Sequence, residues 1–137
     1  MKKNKPQRKL GKHTLRPIEK LKLAADRAIQ DWYRDNYPMK LCEAKCGRMF
    51  QVMHHPIPKS LSARLRYDEC NLVFLCNPCH FAHHRRGDPK IHATIIKSRG
   101  DKWYANLEKL RREYLDINNR KFLEEVLAKY GQKNPLE

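Results

Sequence analysis

Residues 41–55 read LCEAKCGRMFQVMHH, and residues 71–84 read NLVFLCNPCHFAHH. Each stretch contains two cysteines separated by only two or three residues, which is the spacing of the two knuckles of a zinc site. Sulfur atoms at about 2.3 Å from one ion suit a structural, tetrahedral zinc. Because such an ion ties the first stretch to the second, these two stretches decide the fold. The zinc ligands predicted in this way are Cys42, Cys46, Cys76 and Cys79.

The cysteines also bear on the cellular compartment. Five cysteines cannot all pair within one chain, and close pairs favour metal binding over disulfides where thiols stay reduced. The N-terminus is basic with no apolar segment after it, and no run of about 18 apolar residues occurs, so the sequence predicts neither a signal peptide nor a membrane span. We therefore expect a cytoplasmic protein. For the fifth cysteine, Cys70, we expect a small, half-buried side chain, with a substitute metal ligand as the alternative.

The charge of the chain indicates a polyanionic partner. Its 30 lysines and arginines against 15 aspartates and glutamates give a formal charge of +15, and its 137 residues with 40% hydrophobic content predict one compact domain. Residues 1–107 carry 23 basic and 9 acidic side chains, a balance of +14, whereas residues 108–137 carry 7 and 6, a balance of +1. Nucleic acid is the first candidate, and we expect its phosphates to meet the first three-quarters of the chain.

The N-terminal part of the sequence predicts an arm followed by a helix. Residues 1–15 combine many basic side chains with few apolar ones, so we expect a mobile basic arm that phosphates would order, with a merely solubilising tail as the alternative. Apolar residues then recur at helical spacing over residues 17–36, and Pro17 suits the first helical position. The rest of the chain, residues 16–137, is expected to be a single domain.

The central part predicts two strands and a helix around the metal. We expect the first strand over residues 49–53, after the turn at Gly47, and the second over residues 72–75. A helix should begin at about Pro78. The order strand, strand, helix over residues 41–87 predicts an α+β fold, with a small zinc-stapled core embedded in a mostly helical domain.

Residues 88–131 predict three more helices. Asp88 starts the first, Gly100 stops it, and Asp101 caps the second. Their apolar stripes are typical of a protein core, although a homodimer interface is the alternative interpretation. The stripe residues of the second and third of these helices are Trp103, Leu107, Leu110, Tyr114, Leu115, Phe122, Leu123, Val126, Leu127 and Tyr130.

Six of the seven histidines lie within residues 54–92, which random placement would seldom produce. His80 and His84 are four residues apart on one helical face, so their rings point in the same direction, as chelation requires. His54 and His55 are adjacent at a strand end and therefore point to opposite sides. We expect one of them to bind an ion and the other to act chemically.

Three further histidines lie outside this set. His83 lies about 100° around the helix from His80, so we expect it to meet DNA or solvent. His13 and His92 belong to no motif and are expected on the surface.

These residues resemble the HNH, or ββα-metal, nuclease superfamily. The motif of that superfamily runs from an acidic residue or His, then His, through a loop and Asn-Leu to a cysteine pair directly followed by His. Here residues 54–58 read HHPIP and residues 71–80 read NLVFLCNPCH. The three-imidazole set is similar to that of nuclease colicins, and the cysteine knuckles are similar to those of zinc-stapled phage members.

The resemblance implies a metal-dependent DNA endonuclease that hydrolyses phosphodiester bonds. It assigns His55 as the general base and Asn71 as the residue that holds the His55 loop, beside His80 at the catalytic centre. It assigns His54, His80 and His84 as ligands of a catalytic Mg²⁺, Mn²⁺, Ni²⁺ or Zn²⁺ ion, in addition to the structural Zn²⁺. Many members carry Asp at the position of His54, so an outer-shell role for His54 is the alternative.

The overall layout resembles the phage NinG/Rap recombination endonucleases. That resemblance implies a bacterial or phage-infected host cytosol, branched substrates such as Holliday junctions and D-loops, and a homodimer that places two sites on opposing strands. The alternatives are a non-catalytic zinc-ribbon protein that binds nucleic acid, a nuclease for RNA, and a general or packaging-associated phage nicking nuclease of HNH type. The expected nucleic-acid contacts are Lys2, Lys3, Lys5, Arg8, Lys9, Lys59, Arg64, Arg66, Arg85 and Arg86.

Overall fold

A computed structural model describes residues 15–137 of the chain. The elements, in chain order, are α1 (Pro17–Asn36), β1 (Val52–His54), a 3-10 turn (Glu69–Asn71), β2 (Val73–Leu75), α2 (Asn77–Arg86), α3 (Pro89–Arg99), α4 (Asp101–Leu110) and α5 (Arg120–Lys129). The fold class is α+β, as predicted, with a strand–strand–helix unit between α1 and the C-terminal helices. The predicted arm lies, apart from Leu15, outside the described residues. Among the helices of residues 15–137, none is both long enough and apolar enough to span a membrane.

The two strands form an antiparallel pair in which Val52 faces Leu75 and His54 faces Val73. The predicted first strand, residues 49–53, was wrong at both ends. Met49 forms an isolated bridge with Leu41 instead, across the first cysteine knuckle. The strand proper starts only where the chain leaves the knuckle and meets β2, and it extends to include His54.

Helix α1 closes the free edge of this small sheet. The side-chain amide of Gln30 accepts a hydrogen bond from the Met53 N–H and donates one to the Met53 carbonyl, both at 2.8 Å. The Arg34 Nε donates to the Gln51 carbonyl at 2.9 Å. These contacts satisfy backbone groups that an edge strand would otherwise leave unpaired. They therefore fix α1 against β1, directly beside the histidine pair.

Helix α5 covers the apolar face of α1 from the other side. Leu21 and Ile29 of α1 join Leu123 and Leu127 of α5 in one buried cluster. The stripe predicted on this last helix is thus core within the chain, and the structure gives no support for its use in a homodimer. Burial of such leucines stabilises the fold by roughly 1.5–3 kcal/mol each.

The C-terminal helices differ from the sequence expectation in two places. Gly100, at φ 97°, is the N-cap of α4, and Asp101 is the first helical residue rather than the cap. Helix α4 ends at Leu110, because the following amides bond three residues back and tighten the last turn, as Glu113 N–H does to the Leu110 carbonyl. Tyr114 is consequently 90% exposed instead of part of the apolar stripe.

Helices α3 and α4 brace the core and the loop that joins β1 to the 3-10 turn. The Arg99 guanidinium makes two hydrogen bonds, of 2.8 and 2.9 Å, with the Glu43 carboxylate of the first knuckle, and a third with the Leu72 carbonyl. On the other side, Leu107 packs against Ile57 and Leu65 of the loop. Both contacts hold the segments that carry the site residues.

Candidate functional site

The four paired cysteines converge on one point. Their sulfur atoms all lie within 4.8 Å of one another, and the Sγ atoms of Cys46 and Cys76 are 3.5 Å apart. In a tetrahedral zinc site with bonds of about 2.3 Å, neighbouring sulfurs lie about 3.8 Å apart. In the described part of the chain all cysteines are free thiols, so no disulfide competes for these sulfurs. The donor set therefore fits a structural zinc ion.

Local backbone geometry prepares these sulfurs for a cation. The first knuckle turns through Lys45 and Gly47, which both have positive φ, and closes with a 2.8 Å hydrogen bond from the Cys42 N–H to the Arg48 carbonyl. The backbone N–H of Arg48 donates to the Cys46 sulfur and lowers the pKa of that thiol to about 7. A lowered pKa favours the thiolate, which is the form that binds metal.

The second knuckle coincides with the start of α2. Cys76 is the N-cap, and its sulfur accepts from the Cys79 N–H at 3.5 Å. The positive end of the helix therefore faces the sulfurs. The fifth thiol, Cys70, is exposed rather than half-buried as expected, and it lies outside the sulfur cluster.

Three histidines form a second cluster. One nitrogen from each of His54, His80 and His84 lies within 4.8 Å of the others, and the ring centroids of His80 and His84 are 4.4 Å apart. The His54 side chain is 2% exposed, and its Nδ1 is buried without a hydrogen-bond partner in the described structure. A buried nitrogen in that state costs free energy, which a cation held between the rings can relieve. This all-nitrogen donor set fits a divalent transition-metal ion.

The cluster is electrostatically set to hold neutral rings. Burial, followed by the neighbouring rings of His83, His80 and His84, lowers the pKa of His54 to about 2. Burial and the rings of His84 and His83 lower the pKa of His80 to about 4. Near pH 7 both rings are therefore neutral, and neutral imidazole is the form that coordinates metal.

His83 lies among other aromatic rings. Its ring centroid is 4.9 Å from that of His54, and it stacks at 6.2 Å on His92 of α3. His92 in turn contacts Tyr104. Both rings are partly buried, because α3 packs across that side of α2, but both keep some exposure. Contact of His83 with DNA or solvent and a surface position for His92 therefore stay predictions. His13 lies outside the described residues.

The His55 ring is held apart from the three-ring cluster. Its Nε2 is 3.0 Å from the Arg66 carbonyl oxygen. A carbonyl can only accept, so Nε2 carries the hydrogen, and Nδ1 keeps the lone pair that can accept a proton. Burial lowers the pKa of His55 to about 4, against the opposing effect of the bond to Arg66, so the ring is neutral near pH 7.

Asn71 joins the two ends of the loop that follows His55. Its Oδ1 accepts from the Ile57 N–H at 2.9 Å, and its Nδ2 donates to the Ile57 carbonyl at 2.8 Å and to the Leu65 carbonyl at 3.3 Å. The Asn71 side chain is fully buried. These bonds fix the backbone just after His55 and just before Arg66.

A second tether reaches the same loop from α1. The Asp26 carboxylate accepts two hydrogen bonds from the Arg66 guanidinium, at 2.6 and 3.2 Å. Asp26, through the Arg66 side chain, and Gln30, through the Met53 backbone, therefore help to position the site. The sequence did not predict this role. Only their long-range partners reveal it, since on the sequence they read as ordinary polar positions of an amphipathic helix.

The structure divides the expected nucleic-acid contacts into two groups. Lys59, Arg85 and Arg86 are exposed, although the Lys59 Nζ lies 3.8 Å from an Asp26 carboxylate oxygen. Arg64 is instead paired at 2.7 Å with Asp68, and Arg66 with Asp26, so both guanidinium groups are mostly occupied by carboxylates. The remaining members of the set lie outside the described residues, namely Lys2, Lys3, Lys5, Arg8 and Lys9.

Comparison with known proteins bears on this central unit. Residues 40–86 match the model of the HNH endonuclease family, and they contain both cysteine knuckles and the histidine cluster. Searches of curated proteins and of solved structures each gave no significant match, so no relative supports the resemblance to the NinG/Rap enzymes. The match suggests a nuclease function for this segment, whose cysteine cluster can hold a metal such as zinc.

Proposed function

We propose that this chain is a metal-dependent DNA endonuclease of HNH type, which hydrolyses phosphodiester bonds. One observation carries the proposal: the ligand nitrogens of His54, His80 and His84 converge within 4.8 Å, in a segment that matches the HNH endonuclease family. His55 follows His54 directly and presents a neutral ring anchored at one nitrogen. Three converging imidazoles with a separate basic ring are the groups that hydrolysis of a phosphodiester requires.

The proposed general base is Nδ1 of His55. The Arg66 carbonyl holds the proton on Nε2, which keeps the other nitrogen free to take a proton from an attacking water. Asn71 and Asp26 keep that carbonyl in place, the first through the loop backbone and the second through the Arg66 side chain. Precise placement of this kind raises the rate because it removes the entropy cost of orienting the base.

The proposed catalytic ion is held by the three-histidine cluster. A divalent ion there supplies Lewis-acid stabilisation for the charge that develops on the scissile phosphate and the leaving oxygen. Imidazole coordinates metal as an uncharged ligand, so three such ligands would leave the full charge of the ion for the substrate. Nitrogen ligands favour zinc, nickel or manganese over magnesium, although the superfamily that the sequence resembles often uses magnesium.

The four-cysteine site has a separate, structural role in the proposal. It joins the knuckle before β1 to the start of α2, and α2 carries His80 and His84. Zinc bound there would hold the helix ligands at a fixed distance from His54. The exposed cations in the last turn of α2, Arg85 and Arg86, are suited to contacts with phosphate oxygens.

The direct test of this proposal is nicking of supercoiled plasmid with manganese by the wild type and by His55→Ala. We expect the substitution to reduce the rate by at least about 100-fold while zinc content stays unchanged. His92→Ala is the matched control, because it removes a half-buried histidine outside both clusters. Nicking that survives His55→Ala would show that the base is wrongly assigned. Binding of DNA without cleavage under any divalent ion would identify a non-catalytic zinc-ribbon protein instead.

A finer proposal concerns the substrate, and it rests on the layout of the chain. We propose that branched recombination intermediates are cut in preference to plain duplex, by a homodimer with two sites on opposing strands. The test compares cleavage of a synthetic four-way junction with that of linear duplex of the same sequence. Equal rates would remove the branched substrate and leave a general nuclease.

A further inference from the structure

Helix α1 lies outside the segment that matches the HNH family, yet it forms one wall of a groove that opens on His55. The groove has a volume of about 300 Å³. His55 and Lys59 line it from the loop side, and Arg27, Gln30 and Arg34 line it from α1. Any strand that reaches Nδ1 of His55 from this side must pass along α1.

The groove is held in one shape by backbone contacts. Gln30 makes two hydrogen bonds with the backbone of Met53, immediately before the histidine pair. One turn further along α1, the Arg34 Nε donates to the Gln51 carbonyl. The α1 wall therefore keeps a fixed distance from His55, as a preformed binding surface does.

The groove is lined by three cationic side chains, Arg27, Arg34 and Lys59, against two carboxylates, Asp26 and Asp31. Its two carboxylates are already engaged: Asp26 is 15% exposed and bound by Arg66, and Asp31 lies 3.6 Å from Arg34. Arg34 is still 49% exposed. Arg27 is exposed, and within residues 15–137 its side chain makes no hydrogen bond or ion pair. A groove with compensated anions, one free guanidinium group and a second that is half exposed favours a ligand with phosphate oxygens.

We infer that this groove binds the sugar-phosphate backbone of the nucleic-acid substrate on the side of His55, and that Arg27 and Arg34 contact its phosphates. The inference rests on the proposed function, since in-line attack needs the strand between the His55 ring and the three-histidine cluster. The HNH segment would then supply the chemistry, and α1 would supply half of the substrate cradle. Arg27 and Arg34 act in binding and take no part in proton transfer.

The test measures binding separately from cutting. The probe is a labelled duplex of about 20 base pairs, which is longer than the footprint of one small module. Its fluorescence anisotropy is measured in a salt series with the His55→Ala protein. Arg27→Ala and Arg34→Ala are added singly and together to that background. Arg112→Ala is the matched control, because Arg112 is an exposed arginine beyond the end of α4.

Each phosphate contact that is lost should make the slope of log K against log salt less negative by about 0.9. By the same relation, each should weaken binding about eightfold at roughly 0.1 M salt. Arg27→Lys and Arg34→Lys should retain most of the slope, while zinc content and thermal melting report whether each variant is folded. Affinities and slopes equal to those of Arg112→Ala would overturn the inference.

The two proposals fail in different ways. If the wild type cuts plasmid while the alanine variants on α1 bind like the control, this inference is wrong and the proposed function stands. If the wild type never cuts while the same variants lose affinity, the groove binds nucleic acid and the proposed activity is wrong.

Discussion

Replacement of Asn71 by alanine should unfasten the loop that positions His55. The substitution leaves two buried backbone groups without a partner, the Ile57 N–H and the Ile57 carbonyl, whereas the Leu65 carbonyl keeps its bond from the Asp68 N–H. Ile57 is 2% exposed and Leu65 is fully buried, so water cannot easily replace the amide. Each unsatisfied group costs about 1–3 kcal/mol, and because the loop can relax around both, we expect a total loss of about 2–4 kcal/mol.

The assay is urea unfolding followed by circular dichroism, in a buffer that fixes free zinc, since bound metal adds to the apparent stability. Asn36→Ala is the matched control, because Asn36 is exposed and makes one hydrogen bond with the Trp32 carbonyl, at 2.8 Å. That control should change the free energy of unfolding by no more than about 0.5 kcal/mol. A loss below about 1 kcal/mol for Asn71→Ala, together with unchanged plasmid nicking, would refute the reasoning.

Three further predictions concern other parts of the fold. Cys46→Ser should remove the structural zinc and lower the melting temperature, because one ligand of the sulfur cluster is lost; metal analysis that still finds one tightly bound zinc per chain would contradict this. Burial alone would raise the pKa of Asp68, but hydrogen bonds from the Arg64 guanidinium and from the Cys70 N–H outweigh burial and hold the pKa below its usual value. That contribution to stability is present above the unfolded pKa of about 3.9 and is lost as the pH falls through the folded pKa. Asp68→Asn should therefore make the free energy of unfolding, measured in urea, depend less on pH on the acid side. An unchanged acid slope would count against the ion pair. Tyr114→Ser should alter stability by less than about 0.5 kcal/mol, and a loss above about 2 kcal/mol in the same assay would show that this side chain packs against protein.

The local patterns of the sequence were sufficient for the main helix and the fold class. Apolar spacing and Pro17 predicted α1 over residues 17–36, and the structure gives the same bounds. The strand–strand–helix order around the cysteines was also correct, because knuckle spacing and helical periodicity are local signals. The spacing of the cysteines and of the histidines is typical of metal ligands, and ligands of one ion must lie close together. On that basis the sequence predicted the four-cysteine and three-histidine clusters that the structure contains.

The remaining features depend on contacts between distant segments. The start of β1 was misplaced because Met49 forms a bridge with Leu41. The sequence around these two residues does not indicate that pairing. The partial burial of His83 and His92 was not predicted, because the packing of α3 against α2 has no local signature in the sequence. The contributions of Gln30 and Asp26 were missed for the same reason, since their partners lie in β1 and in the following loop.

The proposed nuclease activity depends on an ion held by the three-histidine cluster. The most direct measurement is the rate of plasmid nicking as a function of manganese concentration, for zinc-loaded wild type and zinc-loaded His80→Gln. The account predicts a saturable rate for the wild type and a loss of at least about 100-fold for the variant, whose four-cysteine zinc should be retained. Equal rates for the two proteins, or no manganese-dependent nicking by the wild type, would contradict it.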